Sequence, residues 1–267
     1  SVVTSISKDH LDWLPKDEQT IKKIVFEKTS TLLNSNIIVA KQSTEETMDY
    51  IKKTIKENLS NKVFFNDDFS YSINENDFFY YEDQFGGLKL SKPNVLGQFQ
   101  LENVSTAIAT LRTLNLSIKD KHIKKGILKI YSLARLQEIK TGKLKKLVKN
   151  NKLLIDGSHN ENGSYALNKY LQSLDCKKHV IIGMMANKEH EKYLSYFKDI
   201  SSITTIDLKT QPNSISGKKL KDKCKNIPNV QYQPSIEQAI NSIDLKEGDL
   251  LLITGSLYLA GEVLNLN

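Results

Sequence analysis

The sequence has only two cysteines, Cys176 and Cys224, among its 267 residues. They lack metal-ligand spacing and cannot form a disulfide framework, which excludes the small disulfide-rich secreted domains. No apolar run is long enough to span a bilayer, and no signal-peptide pattern opens the chain. We therefore predict a soluble, cytoplasmic protein with no membrane partner, long enough for one or two domains.

A nucleic-acid-binding motif is also missing, although the formal net charge is +7. Most of this charge comes from scattered lysines, for example within 121–125 and 143–149. Anionic metabolites or nucleic acid could both use such a field, but lysines on helix faces are more often solvated surface. Because no aromatic platform accompanies them, we predict no nucleic-acid partner. We also expect a monomer.

No Gly-x-x-x-x-Gly-Lys-[Ser/Thr] phosphate loop occurs in the sequence, because the Gly-Lys pairs at 142–143 and 217–218 lack the earlier glycine. The first six residues have a β-strand pattern and no initiator Met. We therefore expect the chain to begin in the middle of a fold, as a fragment of a longer protein.

What the sequence does contain is an apolar run at 153–155 that ends abruptly at Asp156, shortly before a helical pattern. This pattern is typical of a buried strand in an open α/β sheet, where ligands bind beyond the strand end. Asp156 could accept hydrogen bonds from sugar hydroxyls, and His159 could donate or accept near neutral pH. The alternative is that Asp156 and Ser158 cap the helix and His159 is a surface residue.

Strand and helix patterns alternate at 1–59 and again from 153 onward, which predicts an α/β fold. Between 62 and 96, short aromatic runs separated by turn residues predict antiparallel hairpins, beginning with Val63–Phe65. For 140–152 we predict a strand, a turn at Gly142 and a second short strand. The alternation after 153 predicts a doubly wound parallel sheet.

Other polar residues at strand ends or on helices are candidates for binding. His10 could ligate a metal, and the planar fork of Arg135 suits phosphate, although a lone residue of either type usually has no such role. Asn103 could contact a purine edge or cap a helix. Lys28 is by default a solvated lysine, and Ser256 lies in a polar loop after a predicted strand.

Seven segments of the sequence resemble, in order, the folylpolyglutamate synthase/dihydrofolate synthase family of the Mur ligase superfamily. They are Thr4–Leu14, Glu27–Lys28, Leu96–Asn103, Arg135–Gln137, Leu154–Asn160, Ile182–Lys188 and Thr254–Leu259. The resemblance implies the end of a P-loop-type ATPase domain with a small antiparallel β section at 1–137. A doubly wound, Rossmann-like glutamate ligase domain would follow at 138–267.

The implied activity is ligation driven by ATP and Mg²⁺. A dihydropteroate or tetrahydrofolate carboxylate is phosphorylated, and the amino group of L-glutamate attacks the acyl phosphate. Without a phosphate loop, we expect the 267 residues to be inactive alone.

The same resemblance implies a role for each candidate residue. These roles are magnesium ligand for His10, N-carboxylated lysine for Lys28, adenine contact for Asn103, phosphate contact for Arg135, ribose contact for Asp156, and the glutamate and acyl-phosphate side for His159 and Ser256. The sequence departs from the family pattern at Phe99, where the family has His, and at Leu133–Ala134, where it has Pro-Gly.

Two alternatives remain open. A Mur-type peptidoglycan amino-acid ligase would share the fold and the ATP chemistry, but the segments Asp12–Leu14 and Gly255–Tyr258 favour the folate branch. A non-catalytic α/β binding module would explain the missing phosphate loop, but not the polar groups at four strand ends.

Overall fold

The computed structural model describes residues 1–8, 13–32, 35–114, 116–197, 199–224, 227 and 229–267. The chain divides into two compact units, Ser1–Tyr131 and Ser132–Asn267. The division falls shortly before the predicted domain boundary between residues 137 and 138. Among the residues described, no helix is both long and apolar enough to cross a membrane.

The first unit begins with a parallel three-stranded sheet. Its strands, in spatial order, are β1 (Val2–Val3), β2 (Ile37–Val39) and β3 (Lys62–Phe64). Two helices, α1 (Ile21–Thr29) and α2 (Glu45–Thr54), contact each other, and each begins after a threonine whose hydroxyl caps it. The prediction that Val63–Phe65 starts an antiparallel hairpin set is wrong, because Val63 pairs in parallel with the buried Ile38.

The antiparallel section follows, as predicted, but it starts one strand later. It consists of β4 (Phe69–Ile73), β5 (Phe78–Asp83) and β6 (Leu88–Ser91). Two helices come next, α3 (Gln98–Thr113) and α4 (Asp120–Gly126). Phe79 and Tyr81 of the sheet share one core with Val104 and Ile108 of α3, because these apolar residues recur at strand and helix spacing.

The second unit is built on a six-stranded sheet. The strands in chain order are β7 (Gln137–Glu138), β8 (Lys152–Ile155), β9 (Lys178–Ile182), β10 (Ser202–Ile206), β11 (Val230–Gln233) and β12 (Leu250–Thr254). Their spatial order is β11–β10–β9–β12–β8–β7, and all neighbours are parallel except β7 and β8. Five of these strands are therefore aligned with their carboxyl ends at one edge.

Helices cover both faces of this sheet. They are α5 (Lys143–Val148), α6 (Glu161–Gln172), α7 (His190–Leu194), α8 (Gly217–Asp222), α9 (Ile236–Ser242) and α10 (Leu257–Leu266). Side chains of α5, α9 and α10 share a core with Ile253 of β12. Thr254 points to the opposite face, because side chains alternate along a strand, and it bonds Tyr193 of α7.

The segment 140–152, predicted as two short strands around a turn, instead contains helix α5. Leu144 and Val148 lie four residues apart and are both buried, which is helical spacing. The side-chain Oδ1 of Asn267 accepts hydrogen bonds from the Leu144 and Lys145 N–H groups at 3.1 and 3.3 Å. This cap comes from far along the chain, so local sequence could not indicate it.

Candidate functional site

Three polar loops meet at the carboxyl edge of the second unit's sheet. They follow β8, β12 and β9, which are adjacent in the sheet because β12 lies between the other two. The loops begin at Asp156, Gly255 and Gly183. In a doubly wound sheet, this edge is where ligands bind. The structure thus brings together the predicted residues Asp156, His159 and Ser256 at one edge.

Asp156 joins two backbone segments at this edge. Its Oδ2 accepts a hydrogen bond from the Leu136 N–H at 2.8 Å, and its Oδ1 accepts one from the Ser158 N–H at 2.8 Å. The residue is only 3% exposed, and this burial raises the pKa of its carboxyl, while the two N–H donors oppose that shift. The capping alternative is wrong, because Asn160 caps α6 through a bond from the Gly163 N–H.

Arg135 is exposed beside this carboxylate. The guanidinium lies close to Gly157. A Cβ added to Gly157 would be 3.2 Å from Arg135 Nη1 and 2.3 Å from Leu257 Cδ2. A side chain at position 157 would therefore collide with Leu257 and crowd the Arg135 guanidinium. The glycine lets the guanidinium lie directly against the backbone that follows β8.

A cluster of three hydroxyls lies beneath the loops. The Tyr193 hydroxyl is 2.8 Å from Thr254 Oγ1 and 3.1 Å from Ser158 Oγ, and the two smaller hydroxyls are 3.3 Å apart. Burial raises the pKa of Tyr193 far above its ordinary value, so the phenol stays protonated. The cluster ties α7 to the ends of β8 and β12. Sequence reasoning missed Tyr193, which occupies an ordinary apolar position of a short helix.

His159 and Ser256 both contact nearby backbone groups. His159 Nδ1 lies 3.0 Å from the Gly157 carbonyl oxygen, which can accept a hydrogen bond from Nδ1–H. Ser256 is 2% exposed, and its Oγ accepts a hydrogen bond from the Tyr258 N–H as the cap of α10. The serine hydroxyl therefore orients the helix that follows β12.

The remaining predicted residues belong to the first unit. Lys28 is exposed in the last turn of α1. Asn103 is exposed on α3, and its Nδ2 donates to Gln100 Oε1 at 3.1 Å. It does not cap this helix, which begins at Gln98. His10 lies outside the described residues. Among those described, no three His, Cys, Asp or Glu side chains are grouped to hold a metal ion.

Comparisons with known proteins agree with this fold. Residues 142–257 match the family model described as Mur ligase, glutamate ligase domain. The chain is 22% identical over 285 residues to the dihydrofolate synthase/folylpolyglutamate synthase of Bacillus subtilis (strain 168), an alignment that covers 98% of this chain and 61% of that protein. It also resembles the crystal structure of Mycobacterium tuberculosis folylpolyglutamate synthase complexed with ADP and AMPPCP, with a TM-score of 0.83 and 19% identity, covering 99% of this chain and 63% of that one.

A relative from the peptidoglycan branch is similar over a shorter region. The UDP-N-acetylmuramoyl-L-alanyl-D-glutamate--2,6-diaminopimelate ligase of Buchnera aphidicola subsp. Baizongia pistaciae is 30% identical over 185 residues, which are 64% of this chain and 34% of that protein.

The fold and these similarities indicate the class: residues 142–257 match the Mur ligase family in its glutamate ligase domain. Within that family it matches folylpolyglutamate synthase/dihydrofolate synthase. It spans about three fifths of the length of the curated relatives of that type.

Proposed function

We propose that this chain is part of an ATP-dependent ligase that adds L-glutamate to dihydropteroate or tetrahydrofolate. The observation that supports this most strongly is the position of the glutamate ligase domain match, 142–257. That range includes the loop after β8 with Asp156 and His159, and the loop after β12 with Ser256. The domain match and the cluster of polar groups therefore coincide at one sheet edge.

The proposed reaction has two steps. ATP transfers its γ-phosphoryl group to a substrate carboxylate, which gives an acyl phosphate and ADP. The amino group of glutamate then attacks the acyl carbon, the bond from that carbon to the phosphate oxygen breaks, and the amine loses a proton as the amide forms. Positioning and charge stabilisation are the main demands of such phosphoryl chemistry.

Residues of the second unit have distinct roles in this proposal. The guanidinium of Arg135 is exposed and matches the oxygens of a phosphate group. Asp156 belongs to the ATP side as the ribose contact, and His159 and Ser256 to the glutamate and acyl-phosphate side. Ser256 would act there through the orientation of α10, since its hydroxyl is engaged as the helix cap.

In the first unit, Asn103 is the proposed adenine contact, through its exposed side-chain amide. His10 and an N-carboxylated Lys28 are the proposed holders of magnesium, which would offset phosphoryl charge. The described residues do not contain a metal-ion cluster, and Lys28 is exposed.

The direct test is a ligation assay on the protein purified from its own gene. With ATP and L-glutamate, we expect ADP release and a product one glutamyl unit heavier than dihydropteroate or tetrahydrofolate. The 267 residues alone should not turn over, because they contain no phosphate loop to cradle the γ-phosphate. Absence of product with both acceptors, from folded protein, would refute the proposed activity.

A Mur-type peptidoglycan amino-acid ligase is the second candidate, favoured by the 30% identity to a diaminopimelate ligase. This candidate predicts ATP-dependent product from a nucleotide-sugar peptide acceptor and none from a pteroate acceptor. Assaying both acceptors side by side distinguishes the two ligases. ATP binding without turnover on either acceptor would favour the non-catalytic module instead.

A further inference from the structure

Arg135 lies on an unusual backbone turn. The residues on either side of it, Ala134 and Leu136, have φ angles of +52° and +50°, and neither is a glycine. This left-handed region is unfavourable for residues with a Cβ, so a single such residue already needs support from its surroundings. Two of them flanking one exposed arginine indicate that the surrounding structure holds this turn in place.

Three hydrogen bonds provide that support. Gln137 Oε1 accepts a bond from the Ala134 N–H at 2.9 Å, and Asp156 Oδ2 accepts one from the Leu136 N–H at 2.8 Å. The Gly157 N–H donates to the Ala134 carbonyl oxygen at 2.8 Å. The Ala134 N–H, the Ala134 carbonyl oxygen and the Leu136 N–H therefore each have a specific partner.

Burial supports the same arrangement. Ala134 and Leu136 are 4% and 2% exposed, whereas Arg135 between them is exposed. The turn thus fixes two apolar side chains in the core and projects only the arginine, which lies against Gly157. A pre-positioned arginine loses less conformational freedom when it binds an anion than a mobile one does.

We propose that Gln137 and Asp156 are positioning residues for Arg135: their side-chain oxygens hold the turn that presents the guanidinium at the carboxyl edge of the sheet. For Gln137 this is a new role. For Asp156 it is a role in addition to the proposed ribose contact. The identity of the anion, the phosphates of ATP, rests on the proposed function, whereas the positioning itself does not.

The first experiment tests positioning without any ligand. Amide hydrogen exchange in the 267-residue chain should accelerate at Ala134 by roughly fivefold or more in Gln137→Met, which keeps the side-chain length but removes the accepting oxygen. Gln137→Glu should restore slow exchange, because a carboxylate oxygen can accept the same bond. Glu138→Met, at the exposed next position of β7, should leave exchange at Ala134 unchanged. Unchanged exchange in Gln137→Met would overturn the proposal.

The second experiment tests whether the effect on ligand binding runs through Arg135. In the protein purified from its own gene, Gln137→Met should raise the Kd for ATP about fivefold, and Gln137→Glu should recover most of that loss. In an Arg135→Ala background, Gln137→Met should raise the Kd no further, because the two residues act as one unit. An equal rise in both backgrounds would overturn the proposal. If no Arg135 or Gln137 variant changes the Kd for ATP while the exchange results hold, the positioning stands and the proposed ATP contact of Arg135 is refuted.

Discussion

The two arginines of this protein, one in each unit, lie in opposite environments. In the first unit, the Arg112 side chain is 12% exposed, and its Nη1 lies 3.0 Å from the Gly86 carbonyl oxygen and 3.4 Å from Asp83 Oδ1. It also lies over the rings of Tyr81 and Phe85. In the second unit, Arg135 is exposed on a turn whose neighbouring residues are buried.

This difference in environment distinguishes a structural arginine, Arg112, from one that is available to a ligand, Arg135. The Arg112 guanidinium contacts groups of the protein itself, the Gly86 carbonyl oxygen and the Asp83 carboxylate, and so it stabilises the turn between β5 and β6. Arg135 has its flanking backbone fixed and its guanidinium presented outward, which is a stable arrangement for receiving an anion. The same distinction applies to the units. The described candidate residues of the first unit, Lys28 and Asn103, lie on exposed helix faces, whereas Asp156 of the second unit is buried and accepts hydrogen bonds from the Leu136 and Ser158 N–H groups.

Among the substitutions that compare the two units, the largest loss of stability is expected at Gly255. Its φ is +108°, and an added Cβ would lie 2.7 Å from the Gly183 carbonyl oxygen, so an alanine would be both strained and in collision. Gly255→Ala should lower the free energy of unfolding by more than about 3 kcal/mol in urea denaturation.

Gly86→Ala in the first unit is the matched control. Gly86 has a similar φ of +98°, but nothing lies within 4 Å of the added Cβ. Its cost should be only the backbone strain, about 1 kcal/mol. Equal losses in the two variants would show that the loops after β9 and β12 are not closely interlocked.

A smaller effect is expected from the hydroxyl cluster beneath the site. Tyr193→Phe removes one hydroxyl and leaves Ser158 and Thr254 to bond each other at 3.3 Å, so it should lower the free energy of unfolding by about 1 kcal/mol. Tyr50→Phe in the first unit removes a hydroxyl that bonds Glu46 at the surface, and it should leave stability essentially unchanged. Denaturation curves of both variants provide the comparison, and a Tyr193→Phe protein as stable as wild type would contradict it.

Local sequence predicted the parts of this molecule that depend on local pattern. The apolar run ending at Asp156 indicated a buried strand, and the structure has one at Lys152–Ile155. The alternation of strands and helices indicated an α/β fold, which the structure confirms. Both depend on the periodicity of apolar residues, which is visible in a single sequence.

The features that sequence reasoning missed depend on distant contacts. Helix α5 is capped by Asn267, which is more than a hundred residues away. The left-handed turn at Arg135 uses alanine and leucine, which have no sequence preference for positive φ. Tyr193 meets its partners only when α7 packs on the sheet. Pairing between remote segments determines these features, and no local propensity encodes it.

The central claim, that Arg135 is presented for a ligand whereas Arg112 is structural, is tested most directly by one paired measurement. The unfolding free energy and the Kd for ATP are measured for Arg135→Ala and Arg112→Ala in the protein purified from its own gene. Arg135→Ala should change stability by less than about 0.5 kcal/mol and raise the Kd for ATP about tenfold or more. Arg112→Ala should cost about 1–3 kcal/mol, because the largely buried Asp83 carboxylate loses its ionic partner and keeps only the Tyr81 hydroxyl and the Phe85 N–H as donors, and it should leave the Kd of the folded protein unchanged. A stable Arg135→Ala protein that binds ATP like the wild type, or an Arg135→Ala protein as destabilised as Arg112→Ala, would contradict the account.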